Sequence, residues 1–415
     1  MTKSISYFQN VGNFEIMIQR LCNLSISNSF FLFGPRATGK TTLIGASFEP
    51  SRVHVVDLLN SELHDSLVQQ PSKLKEIISG LNSGIRVIVL DEVQRAPVLL
   101  DVIQSIMSSG NQFQFVLTGS SARKLKRGSA NLLGGRAFVR HLWPFTLMEL
   151  SRHLDDSFFN EQLNNCCMYK MIWGGLPLVY FADSDSSRKE LLRSYVVTYL
   201  SEEVVAEQLV RNLLPFRKFL SVAAQMSGKI INYSKIAAAV GSSHVSVQNY
   251  FEILEDTLIG FRLSAYETSV RKRLRNKCKF YLFDTGVTRA MAKNIESVVV
   301  PGTSYFGELF EQMLIVEFKA LCDYLKPDWT LHYLQTTHGV EIDLVIDTGV
   351  SEPILVEIKS SDKIGTVDLA GTVQLMNEFP KSRKYILSRD AMDRKIEGDI
   401  SVLHWYRGIR EIFEI

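Results

Sequence analysis

The sequence has few cysteines and no long apolar run. Its five cysteines form no CxxC pair and no Cys/His spacing that suits zinc, so we expect reduced, mostly structural thiols. They are Cys22, Cys166, Cys167, Cys278 and Cys322. No stretch approaches the roughly 18 uninterrupted apolar residues of a membrane-spanning helix. The first residues also lack a secretion-signal pattern. We therefore expect a cytoplasmic protein without a membrane segment.

An excess of charge of either sign is also missing. The net charge is +2, from 46 Lys and Arg against 44 Asp and Glu, so only local clusters can indicate a polyanionic partner. There is no internal repeat and no low-complexity segment. A chain of 415 residues with 46% hydrophobic and 22% charged residues has room for two to four globular domains.

Short apolar runs alternate with helical stretches from about residue 28 to 150. The runs are 30–33, 53–56, 87–90 and 113–117. Near-continuous apolar runs separated by helices are typical of a parallel sheet covered on both faces. The pattern predicts an α/β fold whose ligand site lies beyond the carboxyl ends of the strands.

The first run leads into a phosphate-binding loop. The segment matches G-x-x-x-x-G-K-[ST] between a strand and a helix; its residues are Gly34, Pro35, Arg36, Ala37, Thr38, Gly39, Lys40 and Thr41, with Thr42 following in the helix. Glycines let the backbone approach phosphates closely, and the helix N-terminus favours negative charge. Lys40 is expected to reach the β- and γ-phosphates and Thr41 to bind Mg²⁺. The motif predicts ATP and Mg²⁺ as cofactors; the alternative is a chance glycine-rich turn.

Acidic and hydroxyl residues follow two other runs. Asp91 and Glu92 end the run 87–90, where Asp91 suits the magnesium site and Glu92 suits a general base for the attacking water. The run 113–117 ends in Thr118, Gly119, Ser120 and Ser121, where a hydroxyl, with Thr118 as the candidate, could sense the γ-phosphate or orient the water. For each, the alternative is a polar end to a buried strand.

Arginines downstream of these strands are candidates for a finger supplied to a neighbouring subunit. They are Arg123, Arg127 and Arg136, of which Arg136 is preferred. A surface or structural role is the alternative.

The chain resembles prokaryotic AAA+-type ATPases that carry an appended C-terminal domain of unknown function. The resemblance rests on GPRATGKTTL, VIVLDEVQ, FVLTGSS, LLGGRAFVRHLWPFTLMEL, WGGLPLV and KFYLFDTGV, spread over nearly all of the chain after about residue 20. It implies an AAA-like fold, ATP hydrolysis and a linking helix-turn-helix, but no substrate. It also implies a homo-oligomer, such as a hexameric ring, and a structural rather than catalytic Asp284.

The segment 213–262 predicts two helices joined by a tight turn, the pattern of a helix-turn-helix. Ser242 or Ser243 can cap the second helix. The side chains expected on its recognition face are His244, Ser246, Gln248 and Asn249.

A basic cluster follows the helix-turn-helix. It has six cations in nine residues: Arg271, Lys272, Arg273, Arg275, Lys277 and Lys279. In a winged version of the fold, this cluster would form the wing hairpin and meet phosphates. We expect a nucleic-acid partner, DNA rather than RNA. Protein contacts or a solvated face remain as alternatives.

The last 120 residues predict a helix followed by strands. Asp343 lies in one strand, and the alternation of the next places Glu357 and Lys359 on one face. Asp343 and Glu357 suit a metal ion and Lys359 suits the water, with Glu311 as a further ligand and Gln374 assisting. This order resembles the PD-(D/E)xK nuclease superfamily. The alternatives are an exposed ion pair and a nuclease-like fold without activity.

The sequence thus predicts an AAA+-like P-loop domain (1–155), a helical lid (156–212), a winged-helix domain (213–295) and a restriction-endonuclease-like α/β domain (296–415). The expected function is ATP hydrolysis coupled to DNA engagement, with magnesium-dependent cleavage by the tail. One alternative is a signalling or regulatory ATPase with an inert tail, and another is a protein-remodelling ATPase.

Overall fold

The computed structural model describes most of the chain. The described residues are 6–11, 14–110, 113–121, 133–199, 210, 213–267, 278–365, 369–397 and 399–415. They divide into two compact units. The first unit comprises Met1–Leu163, Leu176–Phe181 and Asp256–Ile259, and the second comprises Asn164–Gly175, Ala182–Glu255 and Gly260–Ile415.

The first unit contains a parallel sheet that confirms the predicted α/β class for this part of the chain. Its strands are β3 (Phe30–Phe33), β4 (Val53–Asp57), β5 (Val87–Asp91), β6 (Gln114–Gly119) and β7 (Phe138–His141), after an antiparallel hairpin of β1 (Ser6–Val11) and β2 (Phe14–Gln19). The order across the sheet is β4-β5-β6-β3-β7. This order brings the ends of β3, β5 and β6 together at one edge.

Helices cover this sheet because their apolar positions recur at helical spacing. The helices of the first unit include α1 (Lys40–Ser47), α2 (Ser61–Gln69), α3 (Lys73–Ser79), α4 (Leu99–Ser108) and α5 (Leu147–Ser151). In α4, Leu99, Leu100, Ile103 and Ile106 are buried, as expected for one face of a helix. They join side chains of α2 and α3 in a core against one face of the sheet.

The second unit is mainly helical before residue 260. Its helices there include α8 (Asp185–Thr198), α9 (Leu213–Gln225), α10 (Tyr233–Val240) and α11 (His244–Asp256). The preceding helix α6 (Phe159–Trp173) belongs to the second unit from residue 164 onwards, and the short α7 (Pro177–Tyr180) belongs to the first unit. The turn between α10 and α11 has Gly241 at φ 70°, a left-handed conformation that suits glycine. The Ser243 hydroxyl accepts the N–H of Ser246 at 3.0 Å, which satisfies a free donor at the start of α11.

A mixed sheet of eight strands lies in the second unit. It contains β8 (Gly260–Ala265), β9 (Cys278–Leu282), β10 (Thr330–Gln335), β11 (Glu341–Asp347), β12 (Ile354–Ile358), β13 (Lys384–Ser388), β14 (Arg394–Ile396) and β15 (Ile400–His404). The order is β14-β15-β13-β12-β11-β10-β8-β9. The antiparallel pair β8–β9 follows α11, and β8 also pairs in parallel with β10. One sheet therefore takes strands from both sides of the predicted boundary at residue 295.

Four further helices complete the second unit within the described ranges: α12 (Thr285–Met291), α13 (Ser304–Leu325), α14 (Ala370–Asn377) and α15 (Trp405–Phe413). Asp284 is structural, since its carboxylate accepts the N–H groups of Val287 at 3.0 Å and Gly175 at 2.7 Å. The buried helix α13 carries Glu317, which forms an ion pair with Lys170 at 2.7 Å.

Three further expectations from the sequence concern the thiols, a membrane-spanning helix and the basic residues. All five cysteines are free thiols. No helix within the described ranges is both long and apolar enough to cross a bilayer. Arg123, Arg127 and residues 271–277 of the basic cluster lie outside the described residues.

His404 caps α15 and gives the second unit a pH-dependent contact. Its Nδ1 accepts the N–H of Tyr406 at 3.3 Å. Burial, with a further contribution from Arg407, lowers the pKa of His404 to about 4. The neutral ring is therefore the form present in the folded protein near pH 7.

We expect His404 to destabilise the second unit in acid. Its folded pKa lies below the unfolded value of about 6.5, so the unfolded chain binds the extra proton as the pH falls from 6.5 towards 4. The stabilisation is complete above the unfolded pKa and is lost through this window. The loss is on the order of 2 kcal/mol after allowance for partial exposure of the ring.

Urea unfolding at pH 7.5 and pH 4.5, compared between wild type and His404→Asn, measures this contribution. Asparagine keeps a capping acceptor but does not titrate. The variant should lose less stability than wild type between the two pH values; an equal loss in both would contradict the assignment.

Candidate functional site

The phosphate loop connects β3 to α1 at the carboxyl edge of the first sheet. Gly34 has no room for a side chain, because a Cβ there would lie 2.4 Å from the Leu142 carbonyl oxygen. Gly39 has φ 92° and Ala37 has φ 60°, so the loop turns twice through left-handed conformations. The Lys40 ammonium donates to the carbonyl oxygens of Gly34 at 2.8 Å and Pro35 at 3.0 Å, which places it over the loop.

Thr41, Asp91 and Thr118 lie together beside the loop. The Thr41 hydroxyl donates to Asp91 Oδ2 at 3.4 Å, and the Thr118 hydroxyl donates to Asp91 Oδ1. Thr118 also accepts the backbone N–H of Glu92 at 3.1 Å. Hydroxyl and carboxylate oxygens are the ligands that Mg²⁺ prefers in proteins, so this donor set fits the predicted ion. Thr118, predicted as a candidate for sensing the γ-phosphate, bonds directly to Asp91.

Glu92 stands beside Asp91 with its carboxylate held in place. Its backbone is left-handed at φ 59°, and the following 3₁₀ turn carries Gln94. The Ser120 hydroxyl donates to Glu92 Oε2 at 2.9 Å, and the Gln94 amide donates to the same oxygen. The amide also donates to the Ser120 hydroxyl at 3.1 Å. The sequence predicted Glu92; Gln94, two positions later, was missed although it belongs to the same LDEVQ segment.

Behind the loop lies a buried ion pair that the sequence did not predict. Arg20 Nε donates to Glu149 Oε1 at 3.0 Å, with side chains 2% and 0% exposed. The same guanidinium donates to the carbonyl oxygens of Thr38, at 3.1 Å, and Trp143. Glu149 also accepts the N–H groups of Leu21 at 2.7 Å and of Thr146, the residue that caps α5, at 2.8 Å. Arg20 thus ties the backbone of the phosphate loop to the segment that leads into α5.

An apolar pocket opens beside Thr41 and Asp91. Its volume is about 240 Å³. Ten residues line it: Thr41, Ile44, Gly45, Phe48, Pro50, Val53, Val55, Val89, Asp91 and Thr118. The site therefore has polar side chains on one side and a largely apolar wall on the other.

The other predicted residues of the nucleotide site differ in exposure. Arg136 is exposed, and its backbone N–H bonds to the Leu133 carbonyl at 3.0 Å. Thr42 and Arg36 are partly buried, in α1 and in the loop respectively.

The predicted carboxylates of the second unit come together in the eight-stranded sheet. Asp343 is held on β11 by the N–H of Ile358, which donates to its Oδ2 at 2.8 Å. Glu357 on β12 forms an ion pair with Lys359 at 2.5 Å, with side chains 4% and 35% exposed. The ion pair of the first alternative is therefore present, but its carboxylate is buried and only its lysine is partly exposed. Glu357 Oε2 is buried and has no hydrogen-bond partner among the described residues.

The burial of these groups alters their protonation. Burial, with contributions from Glu357 and Glu311, raises the pKa of Asp343 well above its usual range. Burial also raises the pKa of Glu357, against the opposing effect of Lys359. The mutual effect places Glu311, Asp343 and Glu357 within electrostatic reach of one another. Gln374, predicted to assist, is exposed on α14.

Lys279 joins this group from β9. Its ammonium bonds to Glu311 Oε1 at 3.3 Å and to Glu341. The Tyr281 hydroxyl donates to the same Glu311 oxygen at 2.7 Å. Lys279 is 4% exposed, so its predicted role as a phosphate-facing surface cation is wrong. Its neighbours in sequence are basic, and only the pairing of β8 with β9 reveals that it points to carboxylates.

No three His, Cys, Asp or Glu side chains in the described part of the chain are arranged as ligands of one metal ion. In the second unit, Glu311 and Glu341 are turned towards the ammonium group of Lys279.

Three regions of the chain match known protein families. Residues 27–151 match the family described as AAA domain. This match supports the predicted AAA-type P-loop domain in that region. Residues 168–297 match a domain of unknown function (DUF8612), and residues 306–407 match another (DUF4143).

Relatives occur in distant organisms. The chain is 23% identical over 333 residues to an uncharacterized protein of Mycobacterium tuberculosis, covering 79% of this chain and 69% of that protein. It is 21% identical over 272 residues to an uncharacterized protein of Methanocaldococcus jannaschii, covering 61% and 60%.

Two solved structures are weakly similar. One is the Aeropyrum pernix ORC2 protein in its ADP form, with a TM-score of 0.30 and 13% identity over 70% of this chain and 89% of that chain. The other is the Bacillus subtilis DNA clamp loader delta protein, with a TM-score of 0.27 and 11% identity over 70% of this chain and 95% of that chain. At these TM-scores the likenesses establish no shared fold.

Proposed function

We propose that the protein hydrolyses ATP with magnesium at the loop 34–41 and that DNA engagement changes the rate of hydrolysis. The observation that carries the proposal is the group of Thr41, Asp91 and Glu92 beside Lys40, held by hydrogen bonds from Thr118, Gln94 and Ser120. A phosphate loop, a magnesium-binding pair and a positioned carboxylate are the parts that phosphoryl transfer to water needs.

Each group has a distinct role in this proposal. Lys40 and the loop N–H groups would bind the β- and γ-phosphates. Thr41 and Asp91 would hold Mg²⁺, which would supply positive charge against the phosphate oxygens. Glu92 accepts the proton of the attacking water. Gln94 and Ser120 fix the Glu92 carboxylate, so that little rearrangement is needed before reaction.

The DNA part of the proposal rests on α10 and α11. His244 and Asn249 are exposed on α11, and Gln248 is partly exposed. Amide side chains of this kind bind adenine edges and phosphates when a recognition helix enters the major groove. A homo-oligomer in which Arg136 reaches a neighbour's nucleotide belongs to the same proposal.

ATP turnover with and without plasmid, linear and branched DNA tests the coupling. DNA should raise wild-type turnover severalfold, and the double variant Gln248→Ala/Asn249→Ala should lose most of this stimulation while keeping its basal rate. Gln104→Ala, on α4 of the first unit, is the control and should respond like wild type. Turnover indifferent to every DNA would favour a protein-remodelling ATPase instead.

DNA cleavage by the tail is a second candidate function. It is favoured by one observation, the buried and unpartnered Glu357 Oε2 beside Asp343 and Lys359. Asp343 and Glu357 would hold a divalent ion there, and Lys359 would orient the water. With Mg²⁺, wild type should cut DNA, Asp343→Asn should not, and the control Asp347→Asn on the same strand should. If wild type leaves DNA intact, the tail is a binding domain of a regulatory ATPase.

A further inference from the structure

The carboxylates of the second unit surround a cation that belongs to the protein. Lys279 Nζ lies 3.3 Å from Glu311 Oε1 and also pairs with Glu341. It lies 5.6 Å from the centre of the Tyr333 ring, over its face, where a cation is attracted. Two carboxylates and an aromatic face therefore hold one ammonium group in a buried position.

We propose that the Lys279 ammonium is the resident cation of this carboxylate group and that a divalent metal ion enters only by displacing it from Glu311. This inference rests on the metal site proposed for the tail and identifies what controls its occupancy. It also explains why Glu311 is turned to Lys279 and Tyr281.

A separate observation points to a ligand at Glu357, whose carboxylate interacts electrostatically with that of Glu311. Glu357 Oε2 is buried and has no hydrogen-bond partner among the described residues, and the residue as a whole is only 3% exposed. A buried carboxylate oxygen without a partner is costly, and a cation removes that cost. Lys359 occupies the other oxygen of Glu357 at 2.5 Å, so Oε2 is the atom left for an incoming ion.

Lys279 can control metal binding because it lies on a different strand from Asp343 and Glu357. Lys279 lies on β9, which pairs with β8 after the helix-turn-helix, whereas Asp343 and Glu357 lie on β11 and β12. A shift of β9 would free Glu311 without altering the strands that carry Asp343 and Glu357. The proposed DNA-binding segment is thereby connected in sequence to the metal site.

Mn²⁺ binding to the full chain without nucleotide, measured by electron paramagnetic resonance, tests the inference. Lys279→Met should bind Mn²⁺ at least tenfold more tightly than wild type, because the competing charge is gone. Adding Asp343→Asn to Lys279→Met should abolish the gain. Lys279→Arg, which keeps the charge, should bind as weakly as wild type.

Lys229→Met is the matched control. Lys229 pairs with Glu308 on the same helix as Glu311 at 2.9 Å, but both side chains are exposed at 44% and 46%. The Lys229→Met variant loses one lysine charge, as Lys279→Met does, and should leave Mn²⁺ affinity unchanged. If Lys279→Met does not fold, Lys279→Gln, which retains polar contacts to the carboxylates, decides the question with a gain in the same direction.

Mn²⁺ affinity equal to or weaker than wild type in folded Lys279→Met or Lys279→Gln would overturn the inference. This failure differs from that of the cleavage proposal. If wild type cleaves DNA but Lys279→Met gains no Mn²⁺ affinity, the cleavage proposal remains and Lys279 does not control metal binding. A gain in affinity without cleavage by any variant supports the inference and removes the nuclease activity.

Discussion

Glu92→Gln should reduce ATP turnover by about 10²–10⁴-fold while ATP binding stays near the wild-type level. In the proposed mechanism the carboxylate is the base that accepts the proton of the attacking water, and an amide cannot accept it. The loop that binds phosphates does not involve the Glu92 side chain, so nucleotide affinity should change little. Steady-state phosphate release and binding of a fluorescent ATP analogue measure the two effects separately.

The matched control is Glu62→Gln, which neutralises an exposed glutamate at the start of α2. It should hydrolyse ATP at the wild-type rate. Turnover within threefold of wild type in Glu92→Gln would exclude Glu92 as the base and leave the carboxylate with a structural role towards Gln94 and Ser120.

Arg20→Met should strongly destabilise the first unit, by about 3–5 kcal/mol in the free energy of unfolding. The change leaves the buried Glu149 carboxylate without its charged partner. It also removes the hydrogen bond to the Thr38 carbonyl, so ATP affinity should fall in whatever fraction remains folded. Thermal unfolding measured with and without nucleotide gives both effects.

Arg193→Met provides the comparison for Arg20. Arg193 pairs with Glu296 at 2.5 Å, but the two side chains are 52% and 61% exposed. Loss of such an exposed pair costs at most about 1 kcal/mol. An equal loss of stability in Arg20→Met and Arg193→Met would contradict the role assigned to the buried pair.

The parts of the nucleotide site predicted from sequence are those that local spacing determines. Gly34, Lys40 and Thr41 lie within one contiguous motif between a strand and a helix, and the motif works only in that context. Asp91 and Glu92 follow an apolar run, and the parallel order of the sheet brings that run to the phosphate loop. Alternation likewise predicted that Glu357 and Lys359 share a side of their strand.

The parts that were missed depend on contacts between distant residues. Arg20 and Glu149 are 129 positions apart, and neither lies in a pattern that distinguishes a buried charge from an exposed one. Lys279 was assigned to a phosphate-facing wing because it ends a run of six cations in nine residues. Its burial follows from pairing between β8 and β9, and from the placement of α13, which no local pattern specifies.

Magnesium-dependent ATP hydrolysis by the purified full chain, compared between wild type and Lys40→Ala, tests the central claim most directly. The account predicts phosphate release by wild type that requires Mg²⁺, and a rate on the order of 1% of wild type or lower in Lys40→Ala, because the cation over the phosphate loop is lost. Equal rates in the two proteins, or no release by folded wild type that binds ATP, would contradict it.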